Sequence, residues 1–188
     1  YTNWLAGGSS YIPKKEGLKV PIELVLAVHS DAGVKADGTT VGTLSICTTQ
    51  QGNPTFGNGL SRRTSQTFAS QLITNAKRDI ESTFKKNWNT RGVKDANYSE
   101  TRLPDVPSSI IETLSHQNFA DMKFGQDPNF KFTLARSIYK TILRYTASLH
   151  NKACIVQPLA PDNFRMEYIS KNKIRLKWNE VNDPLEPT

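Results

Sequence analysis

Two side chains that could carry out hydrolytic chemistry stand at the ends of apolar segments. His29 ends the run Val20–His29, and Glu112 follows Ile110 and Ile111. A neutral imidazole is the commonest zinc ligand, and a glutamate beside a zinc-bound water can take its proton, because the metal lowers the pKa of that water to about 7. Such a pair would suit hydrolysis of an amide bond, with the glutamate passing the proton to the departing nitrogen. Each signal is weak alone, because the histidine could be a structural residue and the glutamate could face solvent or form an ion pair.

Apolar segments rich in β-forming residues predict the strands that would position these two groups. Val20–His29 is typical of a buried strand, Val41–Thr48 of a second strand, and Ser108–Leu114 of a third. Between them, apolar residues recur every four positions from Ser61 to about Asn87 and predict an amphipathic helix. Sites in open α/β sheets form at the carboxyl ends of strands. We therefore predict an α/β fold with a mostly parallel sheet packed between helices, and a site at the rim that carries His29.

The remaining segments of this region predict connections and a closing helix. Asn89–Asn97 is interpreted as a loop, Tyr98–Leu103 as a short strand, and Asn118–Lys123 as a helical turn. Asp127 and Pro128 are typical of the N-cap and first position of a helix. A long amphipathic helix is therefore expected after Pro128.

Composition limits the possible partners and the chemistry of the cysteines. The chain has 188 residues, a net charge of +7, 37% hydrophobic and 22% charged residues, which is typical of a folded protein rather than a disordered one. No apolar run approaches the roughly 20 residues of a transmembrane segment. The basic residues are spread along the chain and form no nucleic-acid motif, so an anionic polymer of the cell wall and a basic surface with no dedicated partner both stay open.

Cys47 and Cys154 lack a CxxC pattern, which excludes a cysteine-based zinc site, and we expect two buried thiols, with a disulfide as the alternative.

The last thirty or so residues differ from the rest. A Pro-rich linker at 157–161 precedes two alternating segments, 163–170 and 173–178, which predict a β-hairpin. The hairpin, with Trp178 on its second strand, resembles the start of a fibronectin type III module. That many residues cannot close a sandwich of roughly 100 residues, so we expect the module to be truncated or completed elsewhere.

Four short motifs in order resemble zinc-dependent N-acetylmuramoyl-L-alanine amidases. The resemblance extends from about Ile22 to Thr146 and covers a strand-end histidine segment, an Arg-Gly-Val-Lys segment, a strand that ends in glutamate and a following asparagine. These are Val25–Ala32, Arg91–Lys94, Pro107–Glu112 and Asn118. The helix 132–145 resembles the one that closes the catalytic domain of that family.

The resemblance implies roles for two residues. His29 would be the second zinc-ligand histidine, and Glu112 the catalytic glutamate, in cleavage of the amide bond between the lactyl group of muramic acid and L-alanine in peptidoglycan. Arg91, His116 and Asp31 are separate candidates for substrate contact; Arg91 could equally be a solvated loop residue and His116 a structural one. Asp31 stands where the family has Asn, which marks a divergent branch and leaves the substrate preference open.

The resemblance also predicts that the zinc site is incomplete. The family's first ligands, in an Asp-x-Gly-His-Gly segment and a later Glu, are not found here, and the chain starts at Tyr1 without Met. We therefore expect a fragment that binds metal poorly alone, with residues 1–155 forming the later part of a catalytic domain and 156–188 the start of the β-module. The alternatives are a non-catalytic wall-binding domain with a degenerate amidase fold, and a zinc peptidase or deacylase of related fold. Because peptidoglycan lies outside the cytoplasmic membrane, we expect a periplasmic, envelope-bound or secreted protein; the oligomeric state stays open.

Overall fold

A computed structural model describes residues 1–9, 12–50, 54–183 and 186. By its internal contacts the chain divides into two compact units, Tyr1–Lys152 and Ala153–Thr188. Each unit has its own sheet, and the residues discussed above as chemically active all belong to the first.

A four-stranded sheet organises the first unit. Its strands are β1 (Val25–Asp31), β2 (Thr43–Cys47), β3 (Thr90–Asp95) and β4 (Ser108–Ser115). Their order across the sheet is β1-β4-β2-β3. The pairs β1–β4 and β2–β3 are parallel, whereas the central pair β2–β4 is antiparallel. The predicted α/β fold with a mostly parallel sheet flanked by helices is therefore confirmed, and the antiparallel pairing at its centre is an addition to it.

The described residues of the first unit form five helices: α1 (Thr2–Ala6), α2 (Arg63–Phe84), α3 (Ser99–Arg102), α4 (Phe119–Gly125) and α5 (Pro128–Leu149). The two long helices were predicted, and α5 begins as expected. The side chain of Asp127 accepts a hydrogen bond from the backbone N–H of Asn129, and Pro128 occupies the first turn.

The long helices α2 and α5 cover one face of the sheet, which we call the helix face. Phe68 and Leu72 of α2 pack with Ile111 of β4 and Tyr145 of α5. A second cluster joins Ala76 and Ile80 of α2 to aromatic residues, and the indole N–H of its central residue, Trp88, donates to Thr43 Oγ1 at 2.8 Å. These side chains are almost fully buried, so the two helices exclude water from the part of the helix face that they cover.

The opposite face, which we call the site face, is set by alternation along the strands. His29 pairs with Glu112 across β1 and β4, and Leu44 pairs with Glu112 across β4 and β2. Adjacent partners in a sheet point to the same side, so these three side chains share a face. Ile110, two residues before Glu112, packs there against Leu44.

A β-bulge follows Glu112. The register runs from His29↔Glu112 to Asp31↔Ser115, so β4 has one more residue than β1 over this interval. Leu114 would otherwise share the face of Glu112, but it packs with Ala76 and Ile80 on the helix face. The bulge therefore leaves the carboxylate on one side of the sheet and returns the next apolar residue to the core.

Three predictions about local structure were wrong. The segment predicted as a loop contains β3, whose residues are mostly exposed and polar, so no alternation marks it as a strand. The segment Tyr98–Leu103, predicted as a strand, contains α3, which is too short to show a helical period. The strand predicted as buried is the edge strand β1; Val28 is 57% exposed.

The second unit contains the predicted hairpin, β5 (Asp162–Ser170) and β6 (Lys173–Asn179). One face is apolar and exposed, formed by Phe164, Met166, Tyr168, Ile174, Leu176 and Trp178. The other is charged, with Glu167 contacting Lys177 at 2.8 Å. A two-stranded hairpin is marginal alone; the likeness to a fibronectin module stays a prediction, and positions 184–185 and 187–188 of that module lie outside the described residues.

Both cysteines are free thiols. Cys47 is fully buried, as predicted, whereas Cys154 is partly exposed. None of the helices in the described part of the chain combines the length and apolar character that crossing a bilayer requires.

Candidate active site

The structure brings His29 and Glu112 together at the carboxyl ends of two adjacent parallel strands. Their Cα atoms are register partners, and His29 Nδ1 lies 3.7 Å from Glu112 Oε1. The His29 side chain is 39% exposed and that of Glu112 is 13% exposed. An accessible imidazole therefore stands beside a largely buried carboxyl group, although 83 residues separate them in the chain.

Glu112 lies in surroundings that disfavour its charge. Burial raises its pKa, the nearby Asp31 and Glu100 carboxylates raise it further, and the attraction of His29 and Arg91 only partly opposes these effects. Among the described residues, none donates a hydrogen bond to the buried Oε2 atom. A carboxyl group whose pKa is raised is a stronger base than an ordinary glutamate, and its unpaired oxygen is open to accept a proton.

Arg91 and Asp31 form an ion pair beside this carboxyl group. Arg91 Nη1 lies 2.6 Å from Asp31 Oδ2, and both side chains are about two-thirds buried. Burial opposes ionisation of Asp31, but a hydrogen bond from the Ala32 N–H and the contact with Arg91 outweigh it, so its pKa lies below the ordinary value. Arg91 belongs to edge strand β3 and Asp31 to the opposite edge strand β1, so this guanidinium reaches across the site face.

Glu100 is a member of the cluster that the sequence analysis missed. Its Oε1 lies 2.9 Å from His29 Nε2. The segment was predicted as a strand, and neither its composition nor its spacing marks Glu100 as part of a site. Only the position of α3 against the sheet brings it to the histidine.

His116 lies at the rim of the site. Its Nδ1 is 3.1 Å from the Ser30 hydroxyl, and its backbone N–H donates to Asp31 O. Its positive charge, when present, lowers the pKa of Asp31. His116 therefore ties the end of β1 to the segment after β4, and its exposed ring does not contact Glu112 in the described contacts.

Backbone anchors hold the two strand ends in place. Thr113 Oγ1 donates to His29 O at 2.9 Å. The buried Asp121 side chain accepts from the N–H groups of Val41 and Ser115 at 2.9 and 2.7 Å. These contacts fix the sheet rim on both sides of Glu112, so the reactive side chains project from a rigid backbone.

The donor set was tested against the zinc that the family resemblance implies. A catalytic zinc has three protein ligands and one open position. Among the residues that the structure describes, no group of three or more His, Cys, Asp and Glu side chains is arranged to hold a metal ion. Both ring nitrogens of His29 face carboxylates, at 2.9 and 3.7 Å. The described residues alone therefore do not fit a complete zinc centre.

Comparison of the sequence with protein-family models shows to which family the chain belongs. Residues 18–144 match the family model described as N-acetylmuramoyl-L-alanine amidase. The chain belongs to this amidase family. The match includes all five residues to which the sequence analysis gave a role.

Solved structures of amidases share the fold. The N-acetylmuramoyl-L-alanine amidase AmiC2 of Nostoc punctiforme is 15% identical, with a TM-score of 0.51 over 65% of this chain and 57% of that one. The CwlD amidase from Clostridioides difficile, solved in complex with the GerS lipoprotein, is 17% identical, with a TM-score of 0.53 over 75% and 67%. Ami1 from Mycobacterium smegmatis is 15% identical, with a TM-score of 0.50 over 67% and 55%. At these identities the likeness shows a common fold.

The extent of the match is limited. The chain spans 57% of the length of AmiC2 and 55% of that of Ami1. No curated protein matches it. Family membership therefore rests on the match of residues 18–144.

Proposed function

We propose that this protein is a peptidoglycan hydrolase that cleaves the amide bond between N-acetylmuramic acid and L-alanine. The observation that carries the proposal is Glu112, a mostly buried carboxyl group of raised pKa, 3.7 Å from the imidazole of His29 on a common face of the sheet. Family membership supplies the substrate class.

Glu112 is assigned the proton transfers of the reaction. Its raised pKa makes it a stronger base than an ordinary glutamate, so it can take a proton from the attacking water. The protonated carboxyl group can then donate to the departing amide nitrogen. Burial of Oε2 limits loss of this proton to bulk water before the transfer. One residue thereby performs both transfers without moving far from its strand.

Zinc belongs to this proposal as a cofactor that residues other than those described must help to hold. When bound, zinc would polarise the scissile carbonyl and acidify water. His29 is the described residue suited to be one ligand, because its ring is accessible and lies beside Glu112. Family membership and this one accessible imidazole support the assignment.

Three further residues are proposed to contact the substrate. Arg91 and Asp31 lie beside Glu112 as an ion pair, and His116 lies at the rim with an exposed ring.

The net charge of +7 favours approach to the anionic polymers of a bacterial wall, by attraction that salt weakens. A peptidoglycan substrate in turn implies a periplasmic, envelope-bound or secreted location.

Substitution of Glu112 by Gln tests the proposal in the intact protein. The amide keeps the volume of the side chain but cannot accept the proton, so we expect turnover of purified cell wall to fall by about 10²- to 10⁴-fold. The assay measures release of stem peptides that have a free L-alanine amino terminus while the glycan strands stay intact. Glu23→Gln is the matched control: Glu23 also contacts a histidine, His150, at 3.0 Å, but lies away from Glu112, and its substitution should leave turnover unchanged.

Two other functions are separated by the same assay. The shortage of metal donors among the described residues favours a wall-binding domain without turnover; in that case the unsubstituted protein binds wall but releases no peptide. A peptidase or deacylase of related fold would release fragments with another terminus. Full activity of Glu112→Gln would rule out the proposed role of this residue.

A further inference from the structure

The ring of His29 is approached by two carboxylates at unequal distances. Glu100 Oε1 lies 2.9 Å from Nε2, which is a hydrogen-bond distance, whereas Glu112 Oε1 lies 3.7 Å from Nδ1, which is too long for one. An ionised carboxylate can only accept, so the hydrogen must be on Nε2. This arrangement leaves the lone pair of Nδ1 on the side of Glu112.

The helix that carries Glu100 is fixed to the sheet by its next residue. Thr101 is fully buried, its hydroxyl lies 2.7 Å from that of Thr48, and its carbonyl accepts from Ser108 Oγ at 2.9 Å. Arg102 Nε donates to Asn97 Oδ1 at 2.6 Å. The backbone of Glu100 is therefore held by contacts that do not involve its own side chain.

The Glu100 side chain itself has no part in the core. It is 43% exposed and lines one side of a cavity of about 270 Å³, with Val25, Ala27 and Leu103 among the other lining residues. Substitutions at this position therefore leave neither a buried void nor an unpaired buried charge. The backbone of Glu100 is fixed, its side chain lies outside the core, and that side chain contacts the His29 ring. These are features of a residue that orients another.

We propose that Glu100 is a positioning residue for His29: by accepting the Nε2–H, it fixes the tautomer and the plane of the ring so that Nδ1 faces Glu112. A carboxylate in this role is known to fix the orientation and tautomer of functional imidazoles. The catalytic consequence rests on the proposed function, but the geometry of the ring does not. The two can therefore fail separately.

Nuclear magnetic resonance of the 188-residue chain, labelled with nitrogen-15, tests the ring directly. The chain contains three histidines, so the couplings from ring carbon-bound protons to Nδ1 and Nε2 can be assigned for each. At about pH 8.5, above the ordinary histidine pKa of about 6.5, we expect His29 to be a single tautomer with a protonated Nε2 and an unprotonated Nδ1. Protonation of Nδ1 instead would overturn the proposal.

Variants at position 100 separate positioning from folding. Glu100→Ala should give a mixture of the two tautomers of His29, whereas Glu100→Gln, which keeps an acceptor oxygen, should preserve the single tautomer. Glu23→Ala removes the equivalent contact of His150 and should change the signals of His150 while those of His29 stay constant. A His29 spectrum that Glu100→Ala leaves unchanged would contradict the proposal, because the protein would then orient the ring without Glu100.

Turnover by the intact protein gives a second readout. Glu100→Ala should lower kcat by about tenfold or more with KM nearly unchanged, and Glu100→Gln should restore most of the loss; the tenfold figure is the lower range of effects on supporting residues of this kind. Equal loss in both variants would contradict positioning by hydrogen bonding. If no variant and no unsubstituted protein cleaves wall, the proposed function fails while the spectroscopic result stands by itself.

Discussion

The two faces of the four-stranded sheet differ in what their side chains contribute. On the helix face, Ile111 packs with residues of α2 and α5 and is shielded from water. On the site face, the adjacent residue Glu112 lies among groups of which several oppose its charge. Ile111 thus contributes to stability and Glu112 to chemistry. The packed helix face holds the strand rigid, and the side chains of the site face depend on that rigid strand for their positions.

Removal of core volume should produce the largest change in stability. Ile111→Ala deletes a fully buried side chain between two helices and should lower the free energy of unfolding by about 2–5 kcal/mol. Chemical denaturation followed by circular dichroism measures this loss. Val28→Ala, on the same face but at the exposed edge strand, is the control and should cost below about 0.5 kcal/mol; similar losses in both variants would show that burial does not set the size of the loss.

Reactivity of Cys47 should report whether the structure around it is closed. Burial, assisted by the charge of Asp95, raises the pKa of the Cys47 thiol to about 11. At about pH 8 only roughly one thiol in a thousand would be ionised, and the thiolate is the reactive form. We therefore expect alkylation of Cys47 to be at least about a hundredfold slower than that of the partly exposed Cys154, as measured by mass spectrometry after timed labelling.

The destabilised core variant gives the control for this measurement. Ile111→Ala should accelerate labelling of Cys47 by making opening of the first unit easier, with little effect on Cys154. Rapid labelling of Cys47 in the unsubstituted protein would show that the strand is open to solvent.

Loss of the Asp31–Arg91 ion pair should have the smallest effect. Asp31→Asn should lower the free energy of unfolding by about 1 kcal/mol or less at neutral pH, because the pair is only partly buried. The pKa of Asp31 is depressed in the folded protein, so its contribution is present above the ordinary value of 3.8 and fades as the pH falls through the lower folded value. Denaturation at about pH 7 and about pH 3 should therefore show a difference between the two proteins that shrinks in acid; a difference that grows would reverse the sign of the argument.

Much of the helix face could be predicted from the sequence. Phe68 and Leu72 lie on a four-residue period, and the isoleucines of β4 form an apolar run, so hydrophobic pattern alone indicated α2 and a buried strand. The proximity of His29 and Glu112 followed because both end apolar strands, and the carboxyl ends of parallel strands meet at one rim.

The rest of the site depended on contacts that local pattern does not encode. Arg91 lies on a polar edge strand without alternation, and Glu100 on a helix of four residues, so neither element was recognised. The antiparallel pairing of β2 with β4 places β3 where Arg91 can reach Asp31. That pairing is decided by the packing of the whole sheet rather than by the sequence of any one strand.

The extra residue in β4 has a consequence for how this strand can vary. Up to Glu112, the even-numbered residues of β4 lie on the site face, but Leu114 lies on the helix face because the extra residue at Thr113 interrupts the alternation. Deletion of Thr113 would remove the bulge and leave Glu112 and Leu114 as neighbours on opposite faces of a regular strand, whereas an added residue in β1 opposite the bulge would restore ordinary pairing and turn Leu114 toward the site face. The length of β4 relative to β1 therefore decides whether the residue after the bulge lies in the hydrophobic core.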